Sequence, residues 1–349
     1  MRIAGTSAAY PPHYYTQQQV VCALLEFWGE SPEKAQVLER LHSRTGVDGR
    51  YFSRPLEDYR ALNTWGKAND VWIEVAQQLG EQAIDGALAC AGLSRQQINA
   101  IFFVSVTGIA SPSVDALLVN RMGLSPNIKR NPIFGLGCVA GAAGLARAAD
   151  YVRAYPDHVA ALLSVELCSL TWQREDLSVA NLISSGLFGD GAAAVLVAGE
   201  KTGPSGPRIT ANYQAFYPHT QDVMGWKISE KGFSIVLSPE VPRVVEENLG
   251  RDVDAFLATQ GLTRKDIGSW IMHTGGPKIL EASARSLGLE NGDLAISWEV
   301  LRRVGNLSSA SVLIVLDEVM KQHRPAAGTR SILAALGPGF CAEILLLEW

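Results

Sequence analysis

Gly137-Cys138-Val139-Ala140-Gly141-Ala142-Ala143-Gly144-Leu145-Ala146-Arg147-Ala148 sets a thiol at the head of a run made almost wholly of small and apolar residues. A helix without a polar face has to be buried all round, so this one is expected to run between layers of sheet. A second stretch repeats the design: Gly305-Asn306 opens Leu307-Ser308-Ser309-Ala310-Ser311-Val312-Leu313-Ile314-Val315-Leu316. Apolar, β-branched and aromatic runs that read as buried strands precede both. Val106 ends Ile101–Val106, 32 positions before Cys138, and His273 ends Ser269–His273, 33 positions before Asn306. Each half then closes on a glycine turn and an apolar strand, Gly189–Val197 and Gly337–Leu347. Three matched elements in one order describe two related α/β halves with mostly buried sheets, residues 1–200 and 208–349, joined by the loop Lys201–Pro207.

At 349 residues and 47% hydrophobic, the chain can bury a large core. A formal net charge of −5 and scattered Lys and Arg offer no basic surface for nucleic acid. The opening Met1-Arg2-Ile3-Ala4-Gly5 has no secretory pattern, and no window reaches the roughly 18 uninterrupted apolar residues of a membrane span. A soluble cytoplasmic protein is expected. Cys22, Cys90, Cys138, Cys168 and Cys341 form no CxxC pair, which argues against a disulfide framework and a zinc site. Cys22 and Cys90 read as packing thiols.

Cys138 differs from them in standing near a helix N-terminus, where the macrodipole and unpaired N–H groups favour a thiolate. His273, at a strand end before Gly275-Gly276, can project into a cleft where a chain approaches the backbone closely. Asn306 has two readings, an N-cap and a catalytic donor, and the sequence leaves both open. Within the repeat, His273 replaces Val106 and Asn306 replaces Cys138, so pseudo-symmetry would bring both towards the thiol. Such a trio suits acyl transfer followed by decarboxylation: a thioester on sulfur, with His and Asn donors for the enolate oxygen. Neither metal nor cofactor is then required.

Gly-Leu-Gly-Cys138-Val-Ala-Gly-Ala, Gly-Leu-Phe188-Gly-Asp-Gly-Ala-Ala-Ala, His273-Thr-Gly-Gly-Pro-Lys, Gly-Asn306-Leu-Ser-Ser-Ala-Ser and Gly337-Pro-Gly resemble, in order and over nearly the whole chain, the type III polyketide synthases of the chalcone synthase family. That resemblance implies the five-layered αβαβα thiolase fold and a homodimer with Ser111-Pro112 at its interface. It implies Cys138 as nucleophile, His273 and Asn306 as decarboxylation and oxyanion residues, and Phe188 as the gate of the coenzyme A tunnel. Arg44 and Arg50 match coenzyme A phosphate positions, as arginine can serve bidentately. Thr107, Ser111, Cys168, Leu170, Thr171, Trp226, Ile235 and Ser308, with Gly275 and Gly339, match positions around the acyl cavity. Small Ser111 and Cys168, with Met224-Gly225-Trp226, resemble bacterial alkylpyrone and alkylresorcinol synthases. The implied substrates are a medium or long fatty acyl-CoA starter and malonyl-CoA, both coenzyme A thioesters. Leu336 and Thr274 depart from the family's usual phenylalanine and proline. The competing expectations are a single condensation like that of ketoacyl-acyl carrier protein synthase III, whose histidine continues with Gln-Ala-Asn rather than Thr274-Gly275-Gly276, and a non-catalytic acyl-binding protein of the same fold.

Overall fold

A computed structural model of the chain describes residues 1–28, 32–290 and 292–349. Its first half contains β1 (Arg2–Ala9), α1 (Trp65–Ala91), β2 (Ile98–Val104), β3 (Lys129–Ile133), α2 (Ala140–Ala154), β4 (Val159–Leu167), α3 (Val179–Leu187) and β5 (Asp190–Ala198). The second contains β6 (Arg208–Phe216), α4 (Val241–Thr259), β7 (Ser269–Met272), α5 (Ala295–Val304), α6 (Ser311–Gln322), β8 (Arg330–Gly337) and β9 (Cys341–Glu348). These strands hydrogen-bond in the order β7-β8-β9-β6-β1-β5-β4-β2-β3. The two half-sheets meet edge to edge at one registered pair, Arg2 and Arg208. In the first half β2 runs parallel to β3 and β4, while β1 and β5 are antiparallel. In the second, β7 and β8 are parallel and β9 antiparallel to both its neighbours.

Side-chain alternation along the strands builds the layers. Phe102 and Val104 of β2, and Leu333 and Ala335 of β8, pack into one core together with the small residues of α2 and the branched residues of α6. Ile101 and Phe103 point the other way, under α1 with its Trp72, Leu79 and Ala83. Ile332, Ala334 and Leu336 likewise lie under α4 with its Val245, Leu249 and Phe256. Helix, sheet, paired helices, sheet and helix are the five layers. As the absence of a polar face requires, α2 and α6 lie in the middle layer. Thr64 caps the start of α1 by accepting from Lys67 N, and Gly92, at φ +66°, ends it in the left-handed conformation that glycine tolerates.

The observed strands β2 and β7 end at Val104 and Met272, so Val106 and His273 stand just beyond the sheet. A helix, α5, leads into the Asn306 turn where β3 leads towards Cys138, so the repeat is looser on that side. Cys22 and Cys90 are exposed, which corrects their reading as packing thiols: both lie on helix faces turned to solvent. No helix among the described residues is long and apolar enough to cross a membrane.

Candidate active site

Cys138 sits in a 3-10 turn, Gly137–Val139, that runs into α2. Two close approaches fix this turn. Gly137 has φ +56°, and a Cβ there would lie 2.5 Å from Pro338 Cδ, while a Cβ on Gly337 would lie 2.6 Å from Val139 N. The Gly337-Pro338-Gly339 turn therefore closes directly on the residues flanking Cys138. From the other side a Cβ on Gly141 would lie 2.1 Å from Ser309 O, so α2 touches the backbone of the Asn306 segment.

That contact brings the second half to the thiol. Cys138 Sγ lies 3.5 Å from Ser308 Oγ. Ser308 holds φ +46°, an uncommon conformation for a residue with a side chain. Asn306 Oδ1 accepts from Ser308 N at 2.8 Å and from Ser311 Oγ at 3.3 Å. Both readings of Asn306 are thus compatible on different atoms: Oδ1 caps the turn, and the amide Nδ2 is the end left to donate to a ligand. Asn306 is bound by backbone to the segment around Phe188, its N–H donating to Leu187 O at 2.9 Å and its carbonyl accepting from Gly189 N at 3.0 Å. Phe188 ends α3 and bridges Asn306.

His273 follows β7, its N–H donating to Ala334 O at 3.0 Å in β8, the strand that leads to Pro338. Its Nδ1 is buried without a partner, and burial pushes the ring down to about 4, so it is a neutral imidazole at working pH. The Gly275-Gly276 turn that follows reaches the Phe188 segment: a Cβ on Gly276 would lie 3.5 Å from Leu187 Cδ2. Burial also pushes the Cys138 thiol up to about 12, against the pull of the Ser308 hydroxyl. The helix head alone suggests a thiolate; enclosure of the sulfur outweighs it, and the resting group is a neutral thiol.

Cys168, Thr171, Phe188, Trp226 and Ile235 line one cavity, as the family positions imply, but it encloses only ≈ 10 Å³, space for about one water. Ser111 lies elsewhere, exposed in a separate surface cleft of ≈ 480 Å³ with Phe134 and Arg130, and its peptide bond to Pro112 is cis. Leu170 packs in the outer core under α1. Thr107 is sealed: its hydroxyl donates to Glu166 at 2.9 Å and accepts from Leu167 N and Trp72 Nε1. These placements correct Ser111, Leu170 and Thr107 as cavity residues. Gly339, at φ +140°, lies against Phe216 and Cys341.

Arg44 is exposed. Arg50 is fully buried, its guanidinium donating to Gln17 Oε1, Ser185 O and Gly186 O, which corrects its reading as a coenzyme A phosphate contact. The sequence reading also passes over Glu166, fully buried in β4, where it accepts from Val106 N, Ser105 Oγ, Thr107 Oγ1 and Ser309 Oγ. Burial raises it to about 7. Its signal is visible in hindsight: one carboxylate inside the apolar run Val159–Leu167. Through Ser309 it ties the first half's sheet to the Asn306 segment.

Residues 5–201 match the chalcone and stilbene synthases, N-terminal domain, and residues 208–348 the C-terminal domain. The chain is 47% identical to 1,3,6,8-tetrahydroxynaphthalene synthase of Streptomyces peucetius subsp. caesius over 99% of this chain and 93% of that one. It is 32% identical to an alpha-pyrone synthesis polyketide synthase-like protein of Mycobacterium tuberculosis, over 80% of this chain and 72% of that one. The solved structure of 1,3,6,8-tetrahydroxynaphthalene synthase from Streptomyces coelicolor, a bacterial type III polyketide synthase, superposes with a TM-score of 0.94 at 32% identity, covering 100% and 99% of the two chains.

Proposed function

The chain belongs to the chalcone and stilbene synthase family, the type III polyketide synthases, and from that premise we propose that it condenses malonyl units from a compact starter into a polyhydroxylated aromatic product. Cys138 takes the starter as a thioester, with coenzyme A leaving. Loss of carbon dioxide from malonyl-CoA forms an enolate whose oxygen receives hydrogen bonds from Asn306 Nδ2 and from His273. The enolate carbon attacks the thioester carbonyl, and the chain lengthens by two carbons. A neutral imidazole suits this step, because it has a proton to share without a charge to desolvate. Phe188, bridged to Asn306, separates the cavity from the route by which coenzyme A thioesters enter, with Arg44 on the outside. The enzyme works as a homodimer.

The size of the chamber carries the reading of the starter. A fatty acyl group needs a tunnel past Ser111 and Cys168; Ser111 lies in another cleft, and the space beside Cys168, which Trp226 helps to line, is only ≈ 10 Å³. A short, malonyl-derived starter asks for less widening of this space than an alkyl chain does. The ten carbons of tetrahydroxynaphthalene amount to five two-carbon units with oxygen on alternate carbons, save one lost as water at ring closure, as malonyl condensation alone would leave them. Incubation with malonyl-CoA as sole substrate is expected to release carbon dioxide and a cyclised aromatic of that mass, and Cys138→Ala to abolish loading. Product only when a fatty acyl-CoA is added would instead establish the alkylpyrone or alkylresorcinol reading. A linear product of one condensation would indicate the ketoacyl synthase III type, and absence of acylation at Cys138 a binding protein.

A further inference from the structure

A guanidinium with no exposed surface needs an explanation, because burying a charge is costly even where hydrogen bonds offset part of the loss of water. Among the described residues no carboxylate forms an ion pair with Arg50. Nη1 donates instead to Gln17 Oε1 and Gly186 O and Nη2 to Ser185 O, the two carbonyls being ones that the last turn of α3 leaves unpaired, while Nε is buried without a partner. Gln17 Nε2 reinforces the grip, donating to the same Gly186 O at 2.8 Å and to Thr45 Oγ1 at 2.9 Å. The next three residues, Leu187 to Gly189, carry Phe188 and hold both backbone groups of Asn306. The stem of Arg50 also fills the gap between the two turns: a Cβ on Gly189 would lie 3.2 Å from Arg50 Cβ, and one on Gly305 would lie 3.6 Å from Arg50 Cδ.

We propose that Arg50, with Gln17, is a positioning residue for decarboxylation: its fork holds the end of α3 so that the Leu187–Gly189 segment fixes the backbone of Asn306 and with it the direction of the amide donor. The inference rests on the reading of Asn306 as that donor. A planar fork that meets three acceptors sets an orientation that a lysine's single ammonium would not. Cys138 is carried by a different turn, held by Pro338 and α2, and meets the Asn306 segment at Ser308 and Ser309, so its alkylation reports on that turn rather than on the direction of the Asn306 amide.

The test separates the two sides. Full-length Arg50→Met, Arg50→Lys, Gln17→Leu and Asn306→Ala proteins are compared with wild type for carbon dioxide release from malonyl-CoA, alkylation of Cys138 by iodoacetamide, and thermal melting. Arg50→Met is expected to lower kcat for carbon dioxide release by about 30-fold or more, as a displacement approaching 1 Å would. KM and the alkylation rate should stay within about threefold, and Arg50→Lys should recover only part of kcat. Should Arg50→Met not fold, Gln17→Leu carries the test, with a fall in kcat of about fivefold at an unchanged alkylation rate. Wild-type kcat in the folded Arg50 and Gln17 variants, or kcat and alkylation falling together with the folded fraction, would overturn the inference alone, provided Asn306→Ala is inactive. Wild-type carbon dioxide release by Asn306→Ala would defeat the Asn306 reading and this inference with it.

Discussion

Replacing Gly141 with alanine adds one methyl group where α2 meets the Asn306 segment. The added Cβ would lie 2.1 Å from Ser309 O, 3.0 Å from Val312 Cγ1 and 3.3 Å from Leu313 Cγ. The first neighbour is backbone and cannot rotate away, so the two central elements must separate by roughly 1 Å. Overpacking of this kind costs about 1–3 kcal/mol, which in a chain of this size lowers Tm by only about 1–4 °C. The chemical effect should be far larger, since Cys138 heads one element while Ser308 and Asn306 belong to the other. A displacement near 1 Å costs about 100-fold in rate. The assay is carbon dioxide release from malonyl-CoA beside calorimetry of the same sample. A folded Gly141→Ala protein with activity within about threefold of wild type would refute the reasoning, because α2 and the Asn306 segment would then not set the distance on which the chemistry depends.

Glu166→Gln tests the buried carboxyl. Burial raises Glu166 from 4.5 to about 7, so its contribution to stability is fully present below pH 4.5 and lost as pH rises through 7. Between pH 5 and 8 the unfolding free energy of Glu166→Gln should therefore gain about 3 kcal/mol relative to wild type. The difference is the quantity to measure, because buried His42 and His273, pushed down to about 3 and about 4, slope the wild-type curve the other way. A pH-independent difference would contradict the assignment. Trp226→Ala should open the cavity beside Cys168 and raise incorporation of octanoyl-CoA relative to malonyl-CoA alone by about tenfold in product mass spectra. An unchanged product profile would show that Trp226 does not limit the starter. Arg44→Ala should raise KM for malonyl-CoA about threefold to tenfold at constant kcat; an unaltered KM would remove Arg44 from the coenzyme A route.

The layered fold was legible because helices without a polar face have one place to go, and the repeat named both of them. Cys138, His273 and Asn306 stand out in the sequence as matched positions of two halves, and the fold brings the Asn306 turn to Cys138 through Ser308. Arg50 was not: a basic residue reads as surface until the chain shows three carbonyl and amide oxygens gathered from residues 17, 185 and 186. Glu166 escaped because strand β4 is otherwise so apolar that its one charge passes as noise, although its four donors come from two segments far apart in the chain, Ser105–Thr107 and Ser309. Ser111 and Cys168 were read into one chamber by family position, yet loop path decides which cleft each lines, and no local pattern records that.

The cap at Asn306 has a consequence for which residues the position can accept. Aspartate would keep the acceptor that Ser308 N requires but offer no hydrogen to an enolate and would meet it with like charge. Serine could cap from a shorter arm, with its hydroxyl then spent on the backbone. Glutamine carries both functions one carbon too far out. Only a short carboxamide can cap the turn with one end and leave a donor at the other, so under the proposed function folding and turnover would ask for the same side chain at this position.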